Sequence, residues 1–418
     1  MSNDDMERRL MARLDEKAAS LAPRGLSEVV SERVQRTRQV PSWATTERWI
    51  SMETRAQFGA VPRAIIVLAT LALLTALAAG AIAIGASIGP KLPDPFGAAA
   101  NGRIAFVSEG DIYTVESDGS DRQQITSGPR SEYNPMWSRD GTRLAYWSDL
   151  DETRSDLVVT DADGGDPLTI GSVAGTENTR PEWSSDGAEV MFSVIVPELA
   201  ADPCPISVGN GGFCGARVFV AATDGSGARS VGDPDLDARS PTLSPDGRTV
   251  AFGGGAGGSA APYLMDWDGS NIRALEGVAS PDTWAFVKQS WSFDGEWIAT
   301  HDGRPSGAVW LVRSDGSGAT QASEGPGERL WPSYAPDGSA ISWRRWNGGM
   351  EIWSPDEGTT TVIPDIDGAE DWSPDGTMLI TTKHIPGKLV IIDRDGTIIN
   401  EIVGADDAKA NWQRLAIE

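Results

Sequence analysis

Two histidines and two cysteines are all this 418-residue chain offers of the residue types that most often carry catalysis or bind transition metals. His301 and His384 fall in different parts of a repeating pattern, and no local Ser-His-Asp arrangement accompanies either. Gly85-Ala86-Ser87-Ile88-Gly89 matches the nucleophile-elbow spacing. It lies inside a long apolar run, however, where a sharp turn presenting a serine has no place. Three turns read Asp-x-Asp-Gly: Asp161 to Gly164, Asp266 to Gly269 and Asp393 to Gly396. A calcium loop needs more oxygen ligands and a distal carboxylate. Hairpin geometry alone accounts for these turns, so weak calcium binding there stays open and no other cofactor is expected. Cys204 and Cys214 share one insertion, Pro197 to Ala216, with nine residues between them. That spacing is compatible with a local disulfide in an oxidising compartment. Two free thiols are the alternative, and the lack of a nearby histidine argues against a metal site. No catalytic motif emerges, so the expectation is a protein that is not an enzyme.

Binding chemistry is easier to find. Six loops follow equivalent strands of the repeat: Ser148–Asp156, the cysteine insertion, Gly253–Pro262, His301–Ala308, Arg344–Met350 and Lys383–Lys388. Loops held at equivalent places by a rigid scaffold share a face, and binding residues concentrate there. Trp147, His301, Arg344, Arg345, Trp346 and Lys383 would give that face cationic and aromatic groups. Ordinary loop drift is the competing explanation.

The elements that must carry these loops come from a repeat. Pro135-Met136-Trp137-Ser138-Arg139-Asp140-Gly141 and Pro181-Glu182-Trp183-Ser184-Ser185-Asp186-Gly187 are clear copies. Looser copies centre on Gly247, Gly295, Gly338 and Gly376. Each has a strand ending at the Trp-Ser position, an Asp-Gly turn and an apolar strand such as Thr142-Arg143-Leu144-Ala145-Tyr146. Glycine takes positive φ freely, and aspartate bonds nearby amides. A second glycine turn follows each first one, and both series count to seven, the first-turn series starting at Gly102. Short strands and tight turns repeating at this period mark a β-propeller. The first unit, Asn101 to Phe106, lacks its Trp strand, and the last strand, Ala410 to Gln413, lacks its Asp-Gly turn. Joining them closes the ring and removes two exposed strand edges. The expected fold is therefore all-β, a seven-bladed propeller with terminal-strand closure.

The Trp-Ser-x-Asp-Gly turn followed by a Leu/Ile-Ala-Phe/Tyr strand resembles the TolB-type, WD-repeat-like propellers of bacterial envelope proteins. The resemblance covers residues 101–418. Leu243, Tyr334 and Ala335 depart from the motif. The resemblance implies a propeller that binds or scaffolds other molecules in the envelope. TolB itself is described with six blades, so the count of seven is a further departure.

Residues 64–90 contain no charge and are long enough to span a bilayer as a helix. Arg48, Arg55 and Arg63 precede the run and Lys91 alone follows it, which by the positive-inside rule puts the N-terminus in the cytosol. The 63 residues ahead of the run speak against a cleavable signal peptide. Residues 1–63 hold 11 Lys/Arg and 9 Asp/Glu; the remainder holds 24 and 51, a formal charge of −27. An exterior this acidic disfavours nucleic acid as a partner. Met6, Leu10, Leu14, Ala18 and Leu21, then Leu26, Val29, Val30 and Val34, form two helical stripes. The expected organisation is a cytosolic helical segment (1–63), a transmembrane helix (64–90), a linker (91–100) and the propeller (101–418). The expected protein is a single-pass inner-membrane protein whose extracytoplasmic propeller binds a protein, peptide or glycan without catalysis. A second reading makes it a signalling regulator, with cytosolic helices laid out like those of membrane-anchored anti-sigma factors and holding a cytosolic partner. A third, a propeller hydrolase or lyase, lacks a motif to support it.

Overall fold

A computed structural model describes residues 96–174, 179–196, 215–256, 259–278, 288–302, 307–323, 325, 327–346, 348–383, 388–405 and 409–417. These belong to one compact unit, Pro90–Glu418. The expected cytosolic helices, the span at 64–90, most of the linker, Cys204, Cys214 and His384 lie outside the described residues. Among the described residues no helix is long and apolar enough to cross a membrane.

Twenty-eight strands form seven four-stranded antiparallel sheets among the described residues, as the two glycine series require. Blade 2 is typical: Glu132–Trp137 innermost, then Arg143–Asp151, Arg154–Asp161 and Leu168–Ala174. Blades 3 to 7 begin on the inner strands Glu182–Trp183, Arg239–Leu243, Ser290–Trp291, Arg329–Tyr334 and Ile366–Trp372. Blade 1 takes its inner strand, Asn411–Leu415, from the far end of the chain. That strand pairs with Ala100–Ser108, setting Trp412 opposite Ile104 and Asn411 opposite Ala105. The terminal-strand closure is thus present.

The blade faces are apolar because both sides of the middle strands are covered. Leu144 through Ser148 of blade 2 are all buried, as are Leu389 through Ile392 of blade 7. Near-continuous apolar runs of this kind belong to sheets packed on both faces. Seven hydrophobic clusters occupy the seven blade interfaces. Trp412 lies between blades 7 and 1, as Trp137 lies between 1 and 2, Trp183 between 2 and 3 and Trp372 between 6 and 7.

Inner strands are also joined by polar bonds at every interface, of two kinds. Trp183, Trp291 and Trp372 donate their indole N–H to the carbonyls of Met136, Thr242 and Ser333 in the preceding blade. Where the motif departs from Trp, at Leu243 and Tyr334, the backbone amide donates instead. It finds the Glu182 carboxylate in one case and the Ser290 hydroxyl in the other. The same side-chain solution serves the seam: Trp412 and Trp137 donate their amides to Asp371 and Asn411. A buried amide or indole left unpaired would cost about 1–3 kcal/mol, so each departure from Trp is matched by a polar residue one blade earlier.

The turn motif works as its residues require. Ser138, Ser184, Ser244, Ser292 and Ser373 each donate to the turn aspartate two residues on. The turn glycines, such as Gly141 at φ 70°, sit in the left-handed region. Ala335 forfeits the hydroxyl bond, and Asp337 is held by Ser339 alone on that side. All these turns share one end of the ring. The strand ends that lead into the expected binding loops share the other.

Candidate functional site

At the loop end of blade 6 the inner strand meets its neighbour out of register, between Leu330 and Ser333. The bulge puts Trp331 at φ 55°. The same place in blades 2 and 4 holds Asn134 at 53° and Ser240 at 47°. Asparagine tolerates that conformation, whereas a bulky aromatic there is a true outlier. Strain of this sort costs about 1–3 kcal/mol and clusters at ligand sites. Trp331 is partly exposed, and the Arg344 guanidinium lies 5.3 Å from its ring centre. Arg344 is held from behind by Gly368, where a Cβ would meet its Cβ at 2.9 Å. Trp346, two residues on, is 49% exposed.

A buried network anchors this group. Arg329 donates to the Glu351 carboxylate at 2.7 Å, and the Trp343 indole donates to the same oxygen at 2.6 Å. Arg345 approaches Glu351 from outside at 3.6 Å. The two strands that carry Trp331 and Arg344 are therefore locked by charge-assisted bonds rather than by loop packing alone.

The expected site residues divide accordingly. Arg344, Arg345 and Trp346 come together on blade 6. Lys383 ends the Met378–Lys383 strand of blade 7 and pairs with Ile366. Trp147 is wholly buried, with its indole N–H on the Thr179 carbonyl and its ring edge-on to Phe192. It belongs to the core between blades 2 and 3, because its strand runs on to Asp151 before the loop begins. His301 is likewise buried, as the last residue of the Trp297–His301 strand. Neither contributes surface to the face.

Three groups absent from the sequence reading interact electrostatically across the ring. Arg180, Lys288 and Asp371 come from blades 3, 5 and 7, of which no two are neighbours. Burial raises the Asp371 carboxyl above its ordinary value, while Arg180 and Lys288 pull it back down. Arg180 also donates to the Ala410 carbonyl beside the closing strand. The signal was in the register: Asn134, Arg180, Ser240, Lys288 and Trp331 all stand three residues before the Trp position. Across the same face, Glu132 is raised by burial and by the Asp111 carboxylate, with Ser148 and Thr126 hydroxyls opposing the rise. Blade 6 thus brings guanidinium and aromatic surface to this face. Such a surface can hold a ligand by stacking and charge.

No family model matches the chain. Two curated relatives match short stretches. Dipeptidyl-peptidase 5 of Porphyromonas endodontalis is 32% identical over 96 residues, 22% of this chain and 14% of that protein. The uncharacterized peptidase YuxL of Bacillus subtilis is 29% identical over 87 residues, 21% of this chain and 13% of that protein. The chain therefore spans well under a quarter of the length of either relative. Among solved structures, TolB from Acinetobacter baumannii is similar at TM-score 0.44 and 18% identity, over 75% of this chain and 66% of that one. An oligogalacturonate lyase in complex with manganese gives 0.52 and 15%, over 67% and 81%. A functionally unknown protein from Desulfotomaculum acetoxidans gives 0.51 and 13%, over 76% and 99%. At these identities the likeness is one of fold.

Proposed function

We propose that the propeller is a non-catalytic binding or scaffold module whose loop face takes a protein partner through blade 6. The observation that carries this reading is the strained, exposed Trp331 stacked with Arg344, beside Arg345 and Trp346, on an otherwise acidic domain. Tryptophan and arginine dominate binding hot spots, because both combine large contact area with directional polar bonds. The buried Arg329–Glu351–Trp343 network holds the group in place, which lowers the ordering cost of binding. The same reading anchors the module by the uncharged run 64–90, with residues 1–63 in the cytosol and the propeller outside the inner membrane.

A photo-crosslinking residue placed at Trp346 in the native cells tests the site, with one at Asp395 on the turn end as the control. A discrete adduct from position 346 and none from 395 is expected. Equal capture from both positions, or from neither, would remove the reading. Reporter fusions after Met1 and after Glu418 test the topology, and a cytosolic signal from the second would contradict it.

A further inference from the structure

At the opposite, turn end of the ring, a half-open cleft of about 190 Å³ lies between blades 4 and 5. It is lined by the apolar Trp291 and Leu264 and by the polar Asp246, Thr249, Arg273 and Ser314. The ring contains two other interfaces with the same Trp-to-carbonyl bond, and in both an arginine fills this place. Between blades 2 and 3, the Arg143 guanidinium lies 5.0 Å from the Trp183 ring centre and donates to the Gly187 carbonyl. Between blades 6 and 7, the Arg394 guanidinium lies 5.5 Å from Trp372. It donates to the Gly376 carbonyl at 2.8 Å and to the Asp337 carboxylate at 2.8 Å.

In the interface between blades 4 and 5 the receiving groups are all kept. Trp291 stands for Trp183 and Trp372, Gly295 for Gly187 and Gly376, and Asp246 for Asp337. Both arginine sources are lost: Thr249 occupies the place of Arg143, and Ser314 that of Arg394. The Ser314 hydroxyl reaches the Gly295 carbonyl at 2.8 Å, which leaves that oxygen a second lone pair. Arg273 also lines the cleft, its guanidinium turned onto the Ser314 carbonyl at 2.6 Å.

We infer that this cleft is a receptor for a guanidinium, taking an arginine side chain presented by a partner protein. The guanidinium would lie over the Trp291 ring, donate to the Gly295 carbonyl and pair with Asp246. Planar stacking and a forked set of donors suit arginine and not lysine. The inference stands apart from the loop-face reading, since it concerns the other end of the ring.

Titration of the full-length chain with N-acetylarginine methylamide tests it by calorimetry, with the citrulline and lysine analogues alongside. Saturable binding at least about tenfold tighter than citrulline, a step worth about 1.4 kcal/mol, is expected. Thr249→Arg should fill the cleft as Arg143 does and abolish binding while the chain still melts cooperatively. Should that variant fail to fold, Asp246→Asn should still weaken binding severalfold. Trp346→Ala, on the other face, should leave the titration unchanged. Equal binding of citrulline, undiminished binding by Asp246→Asn or by a folded Thr249→Arg, or no saturable binding of the arginine probe would each overturn the inference.

Discussion

Single side chains in this ring can be exchanged for one another only within a fixed polar pattern. Ala335 shows the pattern by omission. Restoring the hydroxyl with Ala335→Ser should give Asp337 the bond that five other turns possess, and raise stability by about 0.5–1.5 kcal/mol. Denaturant midpoints at constant slope would measure it, and an unchanged or lower midpoint would show that the site is too tight for the added oxygen. Two kinds of carboxylate should pull stability in opposite directions with pH. Asp186 is held below its ordinary 3.8 by the Ala188 amide and the Ser184 hydroxyl. Its contribution is present above that value and is lost as pH falls through the lower folded one. Glu132 is raised above its ordinary 4.5 by burial, with Asp111 adding to the rise. Its contribution is full below 4.5 and is lost as pH rises through the raised folded value. Glu132→Gln, which keeps an acceptor for Ser148, should therefore gain on the native chain as pH climbs from 4.5 towards neutrality. Parallel stability curves over that range would refute the assignment.

Strands and turns were the most legible level of the sequence. Glycine at φ > 0 and aspartate on its own turn amides leave little conformational choice, so seven pairs of turns imply seven blades. The closing strand was legible for a similar reason, since Asn411-Trp412 lacks a turn that Asn101-Gly102 supplies. Loop boundaries were less legible. Trp147 and His301 each border a loop in sequence, yet the strand that carries them continues or ends beneath it, and blade packing buries both. Trp331 was missed because a bulge changes which way its side chain faces, and a bulge is set by pairing with the next strand rather than by local composition. The pull of Arg180 and Lys288 on Asp371 joins blades far apart in sequence, so it needs the closed ring before it exists at all. Removing residues 407–418 deletes the closing strand and exposes the apolar cluster around Ile104, Phe106 and Ile391. Cooperative loss of the whole propeller is expected on heating or in hydrogen exchange, and a truncated chain that melts with the full one would contradict the closure.

For the molecule as a whole, a ring built from seven similar blades gains its individuality from the places where they differ. Blade 6 carries a tryptophan where asparagine or serine would fit the backbone more easily. The strain is offset by the Arg329–Glu351–Trp343 lock, and the result is cationic and aromatic surface on a domain of the opposite charge. The direct test is the affinity of the captured partner for the native chain and for the Arg344→Gln, Trp346→Ala double variant, with melting recorded on the same samples. We predict a dissociation constant at least about 30-fold weaker for the variant, as loss of two hot-spot residues implies, and an unchanged melting transition. Equal affinity, or a loss that follows a lowered melting temperature, would contradict the account.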